Sequence, residues 1–167
     1  NRGFAVLNDC KYGVNVLGNT VALTLLKSAL APDMTADQGV QDFTYAFYAW
    51  NGSFAESDVV REGYELNVPP QTAPGDGGTA SLFSVDAPNV IIETVKPAED
   101  GSDDVILRLY EAKRMATRCT LTTTLPLGAV ALTDMLENIQ SVLPCEGGAI
   151  PLEFRPFEVK TVRLALR

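Results

Sequence analysis

The chain has 167 residues, a net charge of −8 and no histidine. A chain of this length buries about 70% of its unfolded surface, so it can form the core of one or two small domains without metal or disulfides. The acidic balance and the lack of a basic stripe exclude binding to nucleic acid, and no apolar run reaches the roughly 20 residues of a membrane span. The absence of histidine excludes Ser-His-Asp triads, Cys-His pairs and most zinc or cobalt sites within this chain.

The first part of the chain is typical of short strands joined by loops. The apolar runs Phe4–Leu7 and Val21–Leu26 predict two strands, and a polar loop, residues 8–13, follows the first. An aromatic run, Phe43–Trp50, predicts a further strand, and Asn51-Gly52 after it is a favoured hairpin-turn pair. These segments predict a first all-β piece.

One helix is predicted, with Ser57 as its N-terminal cap and Asp58–Leu66 as its body; a proline pair ends it. The stretch 71–79 is rich in glycine and has the composition of a linker. We therefore predict two pieces, residues 1–70 and residues 80–167, joined by this linker.

Two β-branched runs on either side of a turn-rich stretch predict a hairpin in the second piece. The runs are Val90–Val95 and Val105–Tyr110. One face of the hairpin is apolar and the other carries an ion pair, which is the period-two pattern of a half-buried antiparallel sheet. If Lys96 and Val105 close the loop, three cross-strand pairs follow: Ile92 with Leu109, Thr94 with Leu107, and Glu93 with Arg108.

Further segments of the second piece alternate polar and apolar residues or are bounded by turn formers, as strands are. One of them is predicted to be an edge strand, because Pro151 cannot donate to a ladder. About seven short strands indicate an antiparallel β-sandwich of the immunoglobulin-like kind, so the predicted fold class is all-β with one short helix. The further segments are 81–85, 117–125, 129–133, 150–154 and 159–166.

Acidic and aromatic side chains elsewhere could carry chemistry, but both have a simpler explanation. The aromatic side chains of residues 43–50 could stack on a sugar ring, yet their spacing along one strand face favours core packing. We interpret Asn51-Gly52-Ser53 as a turn rather than a glycosylation site.

Three acid pairs lie in turn segments and are interpreted as solvated turn acids, not as catalytic pairs or calcium ligands. They are Asp33 with Asp37, Glu99 with Asp100, and Asp103 with Asp104.

The three cysteines, Cys10, Cys119 and Cys145, are odd in number and widely spaced. This pattern argues against a disulfide framework and against a zinc ribbon, and it fits a reducing compartment. We therefore expect a cytoplasmic protein. The chain starts with neither an initiator methionine nor a secretory leader, so we also expect it to begin within a longer protein.

The loop of residues 8–13 is the exception to these plain explanations. Asn8, Asp9, Lys11 and Tyr12 supply an amide, a carboxylate, an ammonium group and a phenol within five residues, and strand ends commonly display binding groups. Spacing alone leaves two explanations open, a binding site or a solvated loop. These four residues are the candidate site residues of the chain.

Eight segments, among them Phe4–Gly13, Leu107–Ala112 and Phe154–Glu158, carry a family resemblance. In this order they closely resemble the C-terminal region of the family 38 glycoside hydrolases, the α-mannosidases, and most of all the cytosolic and bacterial branch. One departure is clear. Relatives tend to carry His-Glu before the Phe-Thr-Tyr run, whereas this chain has Gln41-Asp42.

The resemblance implies a retaining exo-α-mannosidase with an aspartate nucleophile, a carboxylic acid partner and a divalent metal, zinc or cobalt, bound by His and Asp. In the family these groups lie on an N-terminal α/β barrel that this chain lacks, so no residue here is assigned a catalytic or metal-binding role. Residues 1–70 would be the last strands of a mutarotase-like sandwich, and residues 80–167 the terminal sandwich. We expect the incomplete first piece to expose apolar surface.

The expected function is that of a non-catalytic C-terminal portion that supports the barrel of an α-mannosidase and lines its cleft. Its expected partners are the protein's own N-terminal catalytic domain, a mannoside or mannose-containing oligosaccharide, and a second copy of the chain. The resemblance also implies that Asn8, Asp9, Lys11 or Tyr12 shapes the mannose pocket. The alternative is an independent carbohydrate-binding or oligomerisation module, for which the aromatic run 43–50 is the only support.

Overall fold

Twelve β-strands and one α-helix form the regular structure of residues 1–75 and 77–167, the part of the chain that the computed structural model describes. The strand pairings are antiparallel, so the predicted all-β class with one short helix is confirmed. A short 3₁₀ helix, Phe54–Glu56, precedes the α-helix α1, Val59–Asn67. The strands are β1 Arg2–Asn8, β2 Val14–Leu17, β3 Thr20–Leu23, β4 Tyr45–Asn51, β5 Phe83–Val85, β6 Val90–Pro97, β7 Val105–Glu111, β8 Thr117–Thr123, β9 Leu127–Thr133, β10 Ile139–Val142, β11 Ala149–Phe154 and β12 Val159–Leu166.

The chain divides into two compact units, residues 1–74 and residues 75–167. The division falls inside the stretch 71–79, which the composition predicts to be a linker. Asp76, in that stretch, lies outside the described residues. The assignment of the two pieces to two different sandwiches stays a prediction.

In residues 1–74, β1 and β4 form a two-stranded sheet, and β2 and β3 form a hairpin. Helix α1 lies against β1. Strand β3 ends at Leu23 rather than at the predicted Leu26, because β2 begins at Val14, whose partner is Leu23. Beyond this pair one further backbone bond follows, from the Thr24 N–H to the Gly13 carbonyl oxygen at 2.8 Å.

The aromatic residues of β4 lie on both of its faces. Tyr48 and Trp50 are half-buried on one face, whereas Tyr45 and Phe47 on the other are 50% and 68% exposed. The prediction of core packing is therefore wrong for Tyr45 and Phe47 within this chain, because the residues of the first unit that border their face, Val21, Leu23 and Leu25, leave both rings exposed. Ser57 is the only buried residue of this unit, so the unit has no apolar core of its own.

The segment after β4 differs from the prediction. Gly52, with a φ of 98°, leads into the 3₁₀ helix and not into a hairpin, because the strand paired with β4 is β1. Ser57 ends this 3₁₀ turn by donating its hydroxyl to the carbonyl oxygen of Phe54 at 2.7 Å. Asp58, and not Ser57, is therefore the N-cap of α1.

Residues 75–167 form a sandwich of two antiparallel sheets. One sheet has the strand order β10-β9-β12-β7-β6, and the other has the order β11-β8-β5. Their inner faces share one apolar core, and each fully buried Leu or Ile in such a core contributes about 1.5–3 kcal/mol. The core residues from the two sheets are Leu107, Leu109, Val130, Val162 and Leu164, and Cys119, Leu121, Ile150, Leu152 and Phe154.

The described residues give this sandwich eight strands, β5 to β12, rather than about seven. The additional strand, β10, is exposed along its whole length and lacks the alternation that predicts strands. It pairs with β9 through a register that shifts between Ile139 and Ser141. Strand β11 lies at a sheet edge, as predicted from Pro151.

The hairpin of β6 and β7 is confirmed, but only part of its predicted register is right. Ile92 pairs with Leu109 as predicted, whereas Thr94 pairs with Arg108 instead of Leu107. The register shifts between Ile92 and Thr94, so Glu93 is an extra residue in a β-bulge and does not face Arg108. Hydrophobic alternation cannot reveal one inserted residue of this kind.

Candidate functional site

The candidate loop, residues 8–13, begins where β1 ends and lies beside the segment that leads into β4. Asn8 is the last residue of β1 and pairs with Tyr45, the first residue of β4. The loop is therefore next to residues 41–44. The structure brings Asn8, Asp9 and Lys11 into contact with other parts of the unit, and it leaves Tyr12 85% exposed.

Asp9 is fixed to Thr44 by two hydrogen bonds. The Asp9 backbone N–H donates to the Thr44 carbonyl oxygen at 3.2 Å, and the Thr44 backbone N–H donates to Asp9 Oδ2 at 2.9 Å. This N–H, together with the Cys10 thiol, holds the pKa of Asp9 below its ordinary value. Asp9 Oδ1 is buried and has no hydrogen-bond partner of ordinary geometry among the described residues.

Asn8 also uses its oxygen atoms within the protein. Asn8 Oδ1 accepts a hydrogen bond from the Lys11 backbone N–H at 2.7 Å, which closes the turn of the loop. The Asn8 carbonyl oxygen accepts from Asn67 Nδ2 at 3.2 Å. Asn67 is the last residue of α1, so this bond connects the loop to the helix.

Lys11 points its ammonium group at residues 41–43. Lys11 Nζ donates to Gln41 Oε1 at 3.3 Å and lies 5.2 Å from the centroid of the Phe43 ring, within the range of a cation–π contact. The sequence did not identify Gln41, Phe43 and Thr44 as members of this site. One signal was available, since Gln41 departs from the family pattern. The contact of these residues with the loop could not be predicted, because β1 and β4 are far apart in sequence and their pairing cannot be deduced from either strand alone.

Two acids that we predicted to be solvated turn residues are bound by an arginine. Arg163 Nε lies 2.6 Å from Asp104 Oδ2, and Arg163 Nη2 lies 2.7 Å from Asp100 Oδ2. The Asp104 side chain is only 18% exposed, so the prediction is wrong for this residue: β12 brings Arg163 under the β6–β7 loop. Asp33 and Asp37 are exposed, as predicted.

Glu111 is a fully buried carboxylate at the end of β7 that the sequence analysis did not single out. Its oxygens accept hydrogen bonds from Asn89 Nδ2 at 2.9 Å, from the Lys113 backbone N–H at 2.7 Å and from the Phe157 backbone N–H at 3.0 Å. Burial acts to raise the pKa of Glu111, but these donors together hold it below its ordinary value. Two of the resemblance segments, 107–112 and 154–158, therefore meet through Glu111.

A shallow apolar groove of about 200 Å³ lies on the exposed face of the first unit. The rings of Phe4 and Phe47 stack there with a centroid distance of 5.6 Å, and the Tyr45 ring meets Phe47 edge-on at 6.0 Å. We call Phe4, Tyr45 and Phe47 the aromatic strip. The groove is lined by Val6, Val21, Leu23, Leu25, Tyr45 and Phe47.

The described residues contain neither a membrane-spanning helix nor a cluster of side chains suited to a metal ion. None of their helices is long and apolar enough to cross a membrane. Nor do residues 1–75 and 77–167 bring three His, Cys, Asp or Glu side chains together in a group that could hold a metal ion. All three cysteines lie in the described part, and they are free thiols.

Comparison with known proteins gives a consistent result for both units. Residues 89–162 match the family model described as the glycosyl hydrolases family 38 C-terminal beta sandwich domain, and residues 1–35 match that of the glycosyl hydrolases family 38 C-terminal domain. The chain is 41% identical to Alpha-mannosidase 2C1 of Mus musculus and 40% identical to that of Homo sapiens, in each case over 99% of this chain. Alpha-mannosidase G of Dictyostelium discoideum is 34% identical over 96% of the chain. The chain spans 17% of the length of the first two relatives and 16% of the third.

Proposed function

Because this chain belongs to the C-terminal region of glycosyl hydrolase family 38, we propose that it is the non-catalytic C-terminal β-sandwich portion of an α-mannosidase that releases terminal α-D-mannosyl residues with retention. The observation that carries this proposal is the identity of 41% over 99% of the chain to a protein named Alpha-mannosidase 2C1. The two described units also agree in order with the two family models.

The first task we propose for the chain is support of the catalytic barrel. Residues 1–70 are then the last strands of a mutarotase-like sandwich, whose other strands cover the aromatic strip. Two observations support this: the unit lacks an apolar core, and Phe4 and Phe47 are 58% and 68% exposed. Exposed apolar patches of this kind commonly mark a surface that another polypeptide segment covers.

The second task is to line the catalytic cleft with the loop that contains Asn8, Asp9, Lys11 and Tyr12. The support is the concentration of polar groups at the end of β1 and their fixed arrangement against residues 41–44. An ordered polar loop on a strand end is a common carrier of binding groups.

The reacting groups belong, in this proposal, to the N-terminal catalytic domain. A retaining glycosidase needs two carboxyl groups about 5 Å apart on either side of the scissile bond. Here the carboxylates of Glu111, Asp100 and Asp104 are occupied by hydrogen bonds and ion pairs with the protein's own residues. The chain has no histidine and its donor set does not fit zinc or cobalt, so we assign no metal ligand to it and place the metal in the catalytic domain.

The proposed partners are the catalytic domain, a mannoside or mannose-containing oligosaccharide, and a second copy of the chain. We propose a cytoplasmic location, which the three free thiols support because reducing compartments keep cysteines unpaired.

One observation favours a second candidate function, an independent carbohydrate-binding or oligomerisation module. The aromatic strip is exposed, and ring faces of this kind stack on the C–H face of sugars. Titration of the 167-residue chain with methyl α-D-mannoside separates the candidates. A heat of binding that saturates as methyl α-D-mannoside is added, and that is lost in Phe47→Ser, supports the module. The main proposal expects no saturable binding of this sugar to the chain alone.

The main test uses the intact protein that carries these residues and the substrate p-nitrophenyl α-D-mannoside. We expect hydrolysis, with α-mannose as the first product in ¹H NMR spectra. The 167-residue chain assayed alone is expected to release no mannose. The proposal is overturned if the intact protein releases no mannose or if this chain is active by itself.

A further inference from the structure

We propose that Lys11 and Gln41 form a subsite for one hydroxyl-bearing sugar ring, with Phe43 and Asp9 as positioning residues. This inference rests on the proposed function of the loop as part of a mannoside cleft. It goes further in dividing the loop residues into those that meet the ligand and those that hold the loop in place. It also adds two residues, Gln41 and Phe43, to the site.

Asp9 is assigned to positioning because its carboxylate is turned into the protein. Oδ2 accepts the Thr44 N–H at 2.9 Å, and Oδ1 is buried. Asp9 therefore extends the β1–β4 pairing by one residue beyond Asn8 and Tyr45. Oδ1 is thus closed to a ligand, and Oδ2 is already bound to the Thr44 N–H.

Lys11 is assigned to the ligand because its ammonium group is held in place but not neutralised. It has three N–H donors, and its single hydrogen bond among the described residues goes to the neutral amide of Gln41. The Phe43 ring beneath it fixes its position without using a donor. Two donors remain available to a ligand.

Gln41 supplies the complementary groups. Its Oε1 accepts from Lys11, and its Nε2 has no partner among residues 1–75 and 77–167. An amide N–H beside an ammonium group can bind two neighbouring hydroxyl oxygens of one ring. A neutral sugar is the expected ligand rather than a phosphate, because the acidic residues Asp9 and Asp42 flank this site in a chain of net charge −8.

The subsite explains why an amide suits position 41. A carboxylate there would form an ion pair with Lys11 and would hold the ammonium group away from a ligand. Gln41→Glu therefore removes the function of Lys11 without changing the size of either side chain. Gln41→Glu therefore tests the role of the Lys11 charge more directly than a variant that also changes the size of a side chain.

The experiment measures kcat and KM of the intact protein with α-1,2-mannobiose, and thermal unfolding of every variant. Lys11→Met and Gln41→Glu are expected to raise KM about tenfold, because a charge-assisted hydrogen bond is lost, while kcat changes less than threefold.

Asp9→Ala is expected to lower kcat/KM about tenfold or more. Asp9→Asn is expected to lose clearly less than Asp9→Ala, because its amide oxygen can still accept the Thr44 N–H. The matched controls Lys27→Met and Gln71→Glu, at exposed positions, are expected to leave both constants unchanged.

Two results overturn the assignment. Unchanged KM values in folded Lys11→Met and Gln41→Glu would show that these residues do not bind the sugar. An Asp9→Asn variant with a kcat/KM as low as that of Asp9→Ala would show that the Asp9 carboxylate contacts the ligand. An intact wild-type protein that cleaves no α-mannoside is a different result: it overturns the proposed function, and the subsite falls with it.

Discussion

Glu111 Oε2 accepts a hydrogen bond from the backbone N–H of Phe157 at 3.0 Å, although 46 positions separate the two residues. This bond fixes the turn before β12 to the end of β7. The turn needs such a contact, because Phe157 has a φ of 59°, a left-handed conformation that a residue with a side chain rarely adopts.

Replacing Glu111 should therefore destabilise the second unit strongly. In Glu111→Ala, N–H donors of Asn89, Lys113 and Phe157 lose their buried acceptor, and we expect the free energy of unfolding to fall by about 3 kcal/mol. Glu111→Gln should lose less, because one oxygen acceptor remains. Urea unfolding followed by the NMR amide signals of residues 75–167 measures both.

The control for this prediction is Glu153→Gln. Glu153 forms an exposed ion pair with Arg118, and its replacement should change the free energy of unfolding by no more than about 0.5 kcal/mol. If Glu111→Ala unfolds at the same urea concentration as the wild type, Glu111 does not hold this turn.

The same carboxylate should make stability depend on pH in acid. The pKa of Glu111 is lower in the folded state than its ordinary value of 4.5, so its stabilising contribution is complete above about that pH and is lost as the pH falls through the folded-state pKa. We expect the gap in unfolding free energy between wild type and Glu111→Gln to narrow as the pH is lowered below 4.5. A gap that stays constant between pH 6 and pH 2 would contradict the ionised state assigned to Glu111.

The pKa of Asp100 should report on Arg163. The Ser102 hydroxyl and then the Arg163 guanidinium lower the pKa of Asp100 from 3.8 to about 2. In Arg163→Met we expect this pKa to rise, but not fully to 3.8, because the Ser102 hydroxyl still donates to the carboxylate. A ¹³C titration of the side-chain carboxyl group measures it.

Arg118→Met is the matched control, since Arg118 is exposed and pairs with Glu153 instead. It should leave the pKa of Asp100 at about 2. An equal pKa shift in both variants would mean that the net charge of the protein, and not the contact with Arg163, sets the pKa of Asp100.

Gly3 should resist substitution because of Trp50. A Cβ atom at Gly3 would overlap Trp50 Cε2 and Cζ2, so Gly3→Ala must displace the indole ring. Trp50 is the sole tryptophan of the sequence, and its fluorescence emission should shift to longer wavelength as the ring becomes more exposed.

Gly63→Ala provides the opposite expectation in the same unit. Gly63 is inside α1, and a Cβ atom there would meet nothing within 4 Å. Alanine should therefore stabilise the helix by about 0.5–1 kcal/mol and leave the Trp50 emission unchanged. A red shift in this variant, or none in Gly3→Ala, would show that the contact between Gly3 and Trp50 does not position the ring.

The strands that could be predicted from the sequence are those with one buried and one exposed face. The alternation along Val159–Leu166 indicated β12, which lies in the middle of its sheet with Val162 and Leu164 fully buried. The exposed strand β10 gave no such signal, because both of its faces are solvated. The same reasoning fails at Glu93, where an extra residue shifts the register without changing the composition.

The candidate site could be predicted only in part for a related reason. The polar residues of the loop 8–13 are consecutive and visible, but their partners, residues 41–44, come next to them through the pairing of β1 with β4. Glu111 was missed because a lone glutamate at a strand end usually faces solvent. It is buried here because Asn89 and the turn at Phe157 close over it.

The different accessibility of the three thiols allows selective labelling with dyes. Cys119 is buried, whereas Cys10 and Cys145 are exposed, one in each unit. Asp9 raises the pKa of the Cys10 thiol, which reduces its reactive thiolate fraction at neutral pH. A maleimide dye can therefore be attached at Cys145 first and a second dye at Cys10 afterwards, so that energy transfer reports the distance between the two halves without any engineered cysteine.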